Sequence, residues 1–234
     1  MISYKILPWG NSTALSHAVH SLEKSGCEIL LQPDSSVTHL LLPVPSPVAD
    51  SILARLPETV TVIGGNLPPL NQPVIDLLKD PVYLSKNANI TAHCAVKLAM
   101  NKLTCILPDC KVLIIGWGRI GKCLAKLLRD MGCQVMVAAR KGTDRAMLAA
   151  LGYDACSIED IDPEAFDLIY NTAPEMIFPE CPGNALKIDL ASKLGLGSSD
   201  VLWARGLPGK MAPMSSGLLI AETVLRLLNK EEAQ

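Results

Sequence analysis

The feature that most limits what this chain can become is a glycine-rich bend near its middle. The apolar run KVLIIG leads into Gly116-Trp117-Gly118-Arg119-Ile120-Gly121, and a helical stretch follows through Leu128 to Met131, closed by Gly132. A short β-branched run suits a strand buried on both faces. G-x-G-x-x-G between such a strand and a helix is the dinucleotide fingerprint in its required setting. Gly116 permits the tight turn, Gly118 lets the backbone approach a pyrophosphate, and Gly121 lets helix and strand pack closely. Arg119 and Ile120 stand at the helix N-terminus, where unpaired amides and the helix dipole favour phosphate.

The next strand, QVMVAAR, ends in Arg140-Lys141, with Thr143 and Arg145 close behind and no carboxylate at its tip. Sequences selective for NAD place Asp or Glu there, about 20 residues beyond the turn, to hold the ribose hydroxyls. A guanidinium at that point pairs with a 2′-phosphate instead. NADP is therefore the expected cofactor, ahead of NAD.

The bend belongs to a longer alternation. Apolar runs (YKILPW, CEILL, VTHLLLPV) alternate with helical stretches from the start, beginning with a helix from about Ser12 to Lys24, as in parallel sheets with crossover helices. The expected fold is α/β: a Rossmann-type doubly wound parallel sheet plus a smaller N-terminal α/β domain. Residues 1–88 form the flavodoxin-like N-terminal domain, which ends near Tyr83-Leu84. Residues 89–108 carry a linking helix from about Ile90 to Leu103, with Asn87 to Asn89 as its cap. Residues 109–213 form the dinucleotide-binding domain. Residues 214–234 form a C-terminal helix folding back toward the first domain, ending in the solvated NKEEAQ.

Composition excludes other classes. With 21 basic and 23 acidic residues in 234, a net charge of -2, no basic block and few aromatics, the chain lacks the signatures of nucleic-acid binding. It has no run of 18 apolar residues and no basic-then-apolar leader, so no membrane association is expected and a cytoplasmic location is. The eight cysteines are scattered without a close pairing motif and read as buried thiols of a reducing compartment. No metal site is expected: His17 and His20 could share a helix face, but no third ligand accompanies them.

Later strands end in small-residue or proline loops: DLIYNTAPEMI, LKIDLAS and VLWARGLPGKMAP. In a doubly wound sheet the loops at the carboxyl ends of strands line the ligand crevice, which makes Asn171, Thr172, Pro174, Ser192, Gly206 and Pro208 candidate cofactor-binding residues. The runs GRIGKCLAKLLRDMGCQVMVAAR, NTAPEMI, IDLASKLG and GLPGKMAPMSSGLLIAETVLRLL resemble the A subunit of dipicolinate synthase, over nearly everything from Asn89 onward. The resemblance implies NADP-linked oxidation of a dihydrodipicolinate-type ring to dipicolinate during sporulation, in partnership with a second synthase subunit. The domain order also resembles the D-2-hydroxyacid dehydrogenases. Those use a late histidine as acid-base, whereas His17, His20, His39 and His93 all lie in the first half here.

Members of the family that the chain resembles carry Glu-Gly where it has His93-Cys94. Ring oxidation releases a proton, and His93, of the residue type that ordinarily titrates near neutrality, is the candidate to accept it. Lys193 joins it as a candidate catalytic residue. A small dicarboxylate substrate needs cations and amides at its ends, for which Asn89, Arg205 and Lys210 are the substrate-binding candidates. Two alternatives stay open: another NADP-dependent reductase of a small carboxylated substrate, or a non-catalytic dinucleotide-binding subunit. A homo-oligomer is the expected assembly.

Overall fold

The computed structural model describes residues 4–47 and 49–231. The outermost residues of the 1–88 and 214–234 segments, 1–3 and 232–234, lie outside it, as does Val48; the described part of NKEEAQ stops at Glu231. The elements run β1 (Lys5–Pro8), α1 (Thr13–Lys24), β2 (Glu28–Ile29), β3 (His39–Leu41), α2 (Asp50–Leu53), β4 (Thr61–Gly64), β5 (Val74–Asp76) and α3 (Pro81–Met100). They continue β6 (Lys111–Ile115), α4 (Arg119–Asp130), β7 (Gln134–Ala138), α5 (Gly142–Ala150), β8 (Asp154–Cys156), β9 (Leu168–Asn171), β10 (Leu186–Asp189), β11 (Leu202–Trp203), α6 (Leu207–Met211) and α7 (Pro213–Glu231). The chain divides into two compact units, one of residues 1–87 with 208–234 and one of residues 88–207. The passages between them fall inside α3 and at Leu207/Pro208, the latter six residues before the 213/214 boundary expected from the sequence.

The first unit holds a five-stranded parallel sheet in the order β2-β1-β3-β4-β5, the order of flavodoxin-like doubly wound sheets. Its core gathers Leu7, Leu40, Leu42, Ile52 and Val62 from β1, β3, α2 and β4 and the residues beside them. Ser12 caps α1, its hydroxyl accepting from the Leu15 amide. α7 packs on α1 with almost no separation: a Cβ at Gly217 would lie 2.4 Å from the Ala14 carbonyl oxygen.

α3 starts nine residues before the expected Ile90, and Asn87 to Asn89 lie within it rather than capping it. The true cap is Asp80, whose carboxylate accepts from the Tyr83 amide at 2.7 Å, with Pro81 at the first helical position, where a missing N–H costs nothing. Arg226 of α7 donates to the same carboxylate at 2.6 Å, within the first unit. Tyr83 is buried, and burial pushes its hydroxyl up to about 12.

The second unit holds a six-stranded parallel sheet in the order β11-β10-β9-β6-β7-β8. Counted from β6 as first, this is the doubly wound order 3-2-1-4-5-6, whose direction of winding reverses between β6 and β9. Val112 to Ile115 have no exposed surface, so β6 is central and covered on both faces. Tyr170 on β9 donates through its hydroxyl to the Ala95 carbonyl at 3.1 Å, tying α3 to this sheet, and burial raises that hydroxyl's pKa well above its ordinary value.

The cysteines depart from the scattered, buried set expected. Cys105 is exposed, Cys123 and Cys156 are half-buried, and the sulfurs of Cys105 and Cys110 lie 3.4 Å apart. The two stand five residues apart, flanking the short helical turn before β6, which brings them together. Burial, and then its neighbour Cys105, push the Cys110 thiol up to about 12. Among the described residues no helix is long and apolar enough to cross a membrane.

Candidate dinucleotide site

The bend after β6 assigns a separate physical role to each glycine. Gly116 has φ +103°, a conformation that side chains rarely adopt, and a Cβ there would come within 2.6 Å of the Thr172 hydroxyl oxygen. That hydroxyl donates to the Ile115 carbonyl at 2.9 Å, so Thr172 braces the turn from the next loop. A Cβ at Gly121 would sit 2.1 Å from the Gly116 carbonyl oxygen, which is why α4 can approach its own strand so closely. A Cβ at Gly118 would meet nothing within 4 Å. Space therefore opens in front of the α4 N-terminus, where no side chain caps the helix.

The first helical bond of α4 runs from the Lys122 amide to the Gly118 carbonyl at 3.0 Å. The amides of Arg119, Ile120 and Gly121 precede it and have no partner within the helix. The arrangement fits a pyrophosphate: open space beside Gly118, first-turn amides and the positive end of a 12-residue helix. Trp117, whose importance the sequence did not signal, is half-buried beside the bend, edge-on to Tyr153 with ring centroids 5.8 Å apart. The Lys122 ammonium lies 5.7 Å from its centroid.

At the tip of β7, Arg145 donates to the carbonyls of Ala139 (2.7 Å) and Arg140 (2.8 Å), securing the chain as it leaves the strand. Lys141 and Thr143 are exposed at the start of α5, which also lacks a side-chain cap. Arg140 has a partner that the sequence did not reveal: its Nη1 donates to both carboxylate oxygens of Glu175, at 2.8 and 3.0 Å. Glu175 lies 35 residues away in the loop after β9, so no local pattern could have paired the two. Only the strand order does.

Asn171, expected to line the crevice, is fully buried. Its side-chain amide donates to Asp189 (2.9 Å) and to the Ala173 carbonyl (3.1 Å), and its oxygen accepts from the Ala173 amide. It shapes the loop rather than facing a ligand, because every polar atom of its side chain is already engaged. Asp189, likewise buried, accepts from the amides of Ala191, Gly195 and Leu196 and so fixes the DLAS turn. Pro174 and Ser192 are exposed in these loops, and Gly206 turns the chain with φ +67°.

Of the cations, Lys193 is exposed, and the Arg205 guanidinium donates to the Ser192 carbonyl and lies 5.6 Å from the centroid of Trp203. Lys210 is on α6 rather than in a loop, and with Pro208 it belongs to the other compact unit. Asn89 and His93 are both exposed on α3, one turn apart on one face.

Sheet order and bend together define a Rossmann-type α/β unit, with the uncapped helix as its candidate dinucleotide site. Residues 80–176 match the family described as D-isomer specific 2-hydroxyacid dehydrogenase, NAD binding domain. Over 165 residues the chain is 26% identical to the A subunit of dipicolinate synthase from Bacillus subtilis (strain 168), an alignment that takes in 63% of this chain and 55% of that protein. The fold is similar to that of the A subunit of dipicolinate synthase from Bacillus halodurans, with a TM-score of 0.82, 21% identity, and 97% of this chain and 99% of that one covered. It is also similar to the corresponding dipicolinate synthase structure from Bacillus subtilis, with a TM-score of 0.80, 19% identity, and 100% and 98% covered. The resemblance drawn from the sequence is thus carried by sequence and fold alike.

Proposed function

We propose that the chain is an NADP-linked oxidoreductase of the dipicolinate synthase type, oxidising a dihydrodipicolinate-type ring to dipicolinate in the cytoplasm of a sporulating cell, in concert with a second synthase subunit. The observation that carries the reading is the open space before Gly118, faced by the uncapped α4 N-terminus. Amides of Arg119, Ile120 and Gly121 hold the pyrophosphate there. Arg140, Lys141 and Thr143 take the 2′-phosphate at the β7 tip, with Arg145 keeping that tip in place. Thr172, Pro174, Ser192 and Gly206 contribute walls toward the nicotinamide end.

When bound, the nicotinamide supplies the hydride acceptor. The protein's part is to orient the ring and take one proton, since formation of an aromatic pyridine is downhill. His93 accepts that proton, and Asn89, Lys193 and Arg205, all of the same compact unit, bind the carboxylates. A second reading draws on the Arg205 guanidinium, already engaged with the Ser192 carbonyl, and on His93-Cys94 in place of the family's Glu-Gly. These favour a different small carboxylated substrate reduced with NADPH, or a subunit that binds the dinucleotide without turnover.

The test is absorbance at 340 nm with NADP and dihydrodipicolinate, with and without the second subunit. A rise that is lost in His93→Ala is expected. Oxidation of NADPH by another carboxylated substrate selects the second reading, and tight NADP binding with no turnover on any substrate selects the non-catalytic one.

A further inference from the structure

β6 lies between β7 and β9 in the sheet, with all three strands parallel. Arg140 follows β7 and Glu175 follows β9, so their ion pair joins the two loops that flank the glycine bend at the carboxyl end of β6. Adjacent strands are about 4.8 Å apart, which puts roughly 10 Å between β7 and β9. The side chains bridge that span, and the path from the bend to the β7 tip runs between the two loops that they join. A dinucleotide whose pyrophosphate sits at the bend, with its adenosine ribose at the β7 tip, must pass along this path.

We infer that Glu175 is a residue that sets nucleotide affinity in the site: it occupies Arg140 across β6 in the nucleotide-free protein and is displaced when the 2′-phosphate of NADP takes the guanidinium. The inference rests on the NADP reading given above. Its energetics suit a contact made to be broken. The Arg140 and Glu175 side chains are 66% and 48% exposed, and a pair so open to water contributes at most about 1 kcal/mol, a factor of about five in affinity. A 2′-phosphate carries more negative charge than one carboxylate and offers more acceptor oxygens, so it outcompetes Glu175 for the same guanidinium. NAD has nothing to offer Arg140 once the bridge opens. The bridge therefore lowers affinity for both nucleotides by a similar factor, and Arg140 restores it for NADP alone.

The test is calorimetric titration of NADP+ and NAD+ into the full chain, the Glu175→Gln and Arg140→Gln variants, and the double variant. Glu175→Gln is expected to tighten both nucleotides about threefold to fivefold and leave their ratio unchanged. Arg140→Gln is expected to remove the preference for NADP, and in that background the gain from Glu175→Gln is expected to vanish, because there is no bridge left to break. A gain that persists without Arg140 overturns the inference in favour of simple repulsion between carboxylate and phosphates. Weaker NAD+ binding in Glu175→Gln overturns it too, by making Glu175 an acceptor for the ribose hydroxyl. If none of the four proteins binds either nucleotide, the dinucleotide reading itself fails and the inference falls with it.

Discussion

The glycines of the bend separate architecture from recognition, and substitution at single positions can tell the two apart. At Gly121 any Cβ meets backbone, the Gly116 carbonyl at 2.1 Å, and backbone cannot rotate away as a side chain can. Gly121→Ala is expected to cost about 1–3 kcal/mol, the usual range for overpacking, and to lower the melting temperature by several degrees. At Gly118 the Cβ has room and the backbone is extended, so Gly118→Asp meets no steric barrier and adds a helix-capping carboxylate. Its unliganded melting temperature should hold, while nucleotide affinity falls at least about tenfold from the anion placed where the pyrophosphate belongs. Equal losses of stability in both variants would show that the space at Gly118 is packing, not a ligand cradle. The glycines could be assigned from sequence because the positive φ of Gly116 and the contact of Gly121 with the Gly116 carbonyl are set within the bend itself. Glu175 could not, since its meaning comes from a partner across the sheet.

At the scale of elements, helix ends illustrate what local chemistry discloses. The start of α1 near Ser12 and the stop at Gly132 after α4 are both read from the sequence and present in the fold. The start of α3 is harder to read, because the apolar periodicity from Ile90 onward outweighs Asp80-Pro81, an equally local start signal. That start also joins elements distant in sequence: Asp80 caps α3 and accepts from Arg226 of α7. Partial burial pushes the Asp80 carboxyl upward, but the Tyr83 amide and Arg226 outweigh it and hold the group below its ordinary value. A carboxylate depressed in the folded state contributes stability above its unfolded pKa of about 3.9, and that contribution is lost as pH falls through the lower folded value. Asp80→Ala is therefore expected to cost about 1–2 kcal/mol near neutral pH, from the lost cap. Below about pH 4 the gap to the parent chain should narrow, because only the parent still has this carboxylate to protonate. Melting curves taken from pH 6 to pH 3 that stay parallel would contradict this role.

At the scale of the whole molecule, the two sheets differ in how far their order could be read. Alternating runs announce parallel strands with crossovers, yet β2 and β11 are two residues long and leave almost no periodic signal. Their positions at the sheet edges follow from pairing with β1 and β10, which is long-range information. The bend, the β7 tip and the β9 loop all fall within residues 88–207, so the groups proposed for the pyrophosphate and ribose phosphate belong to one compact unit. Ligand that binds only the native state stabilises it by mass action, about 2.7 kcal/mol at a hundredfold excess over Kd. For a chain of this size that is roughly 5–10 °C in melting temperature. NADP at that excess is expected to give such a shift, NAD at the same concentration a smaller one, and hydrogen exchange should slow most in residues 116–121, 139–143 and 172–175. Slowing elsewhere with none in these three segments would place the nucleotide away from the bend, and Gly118 would then be open for a reason other than a pyrophosphate.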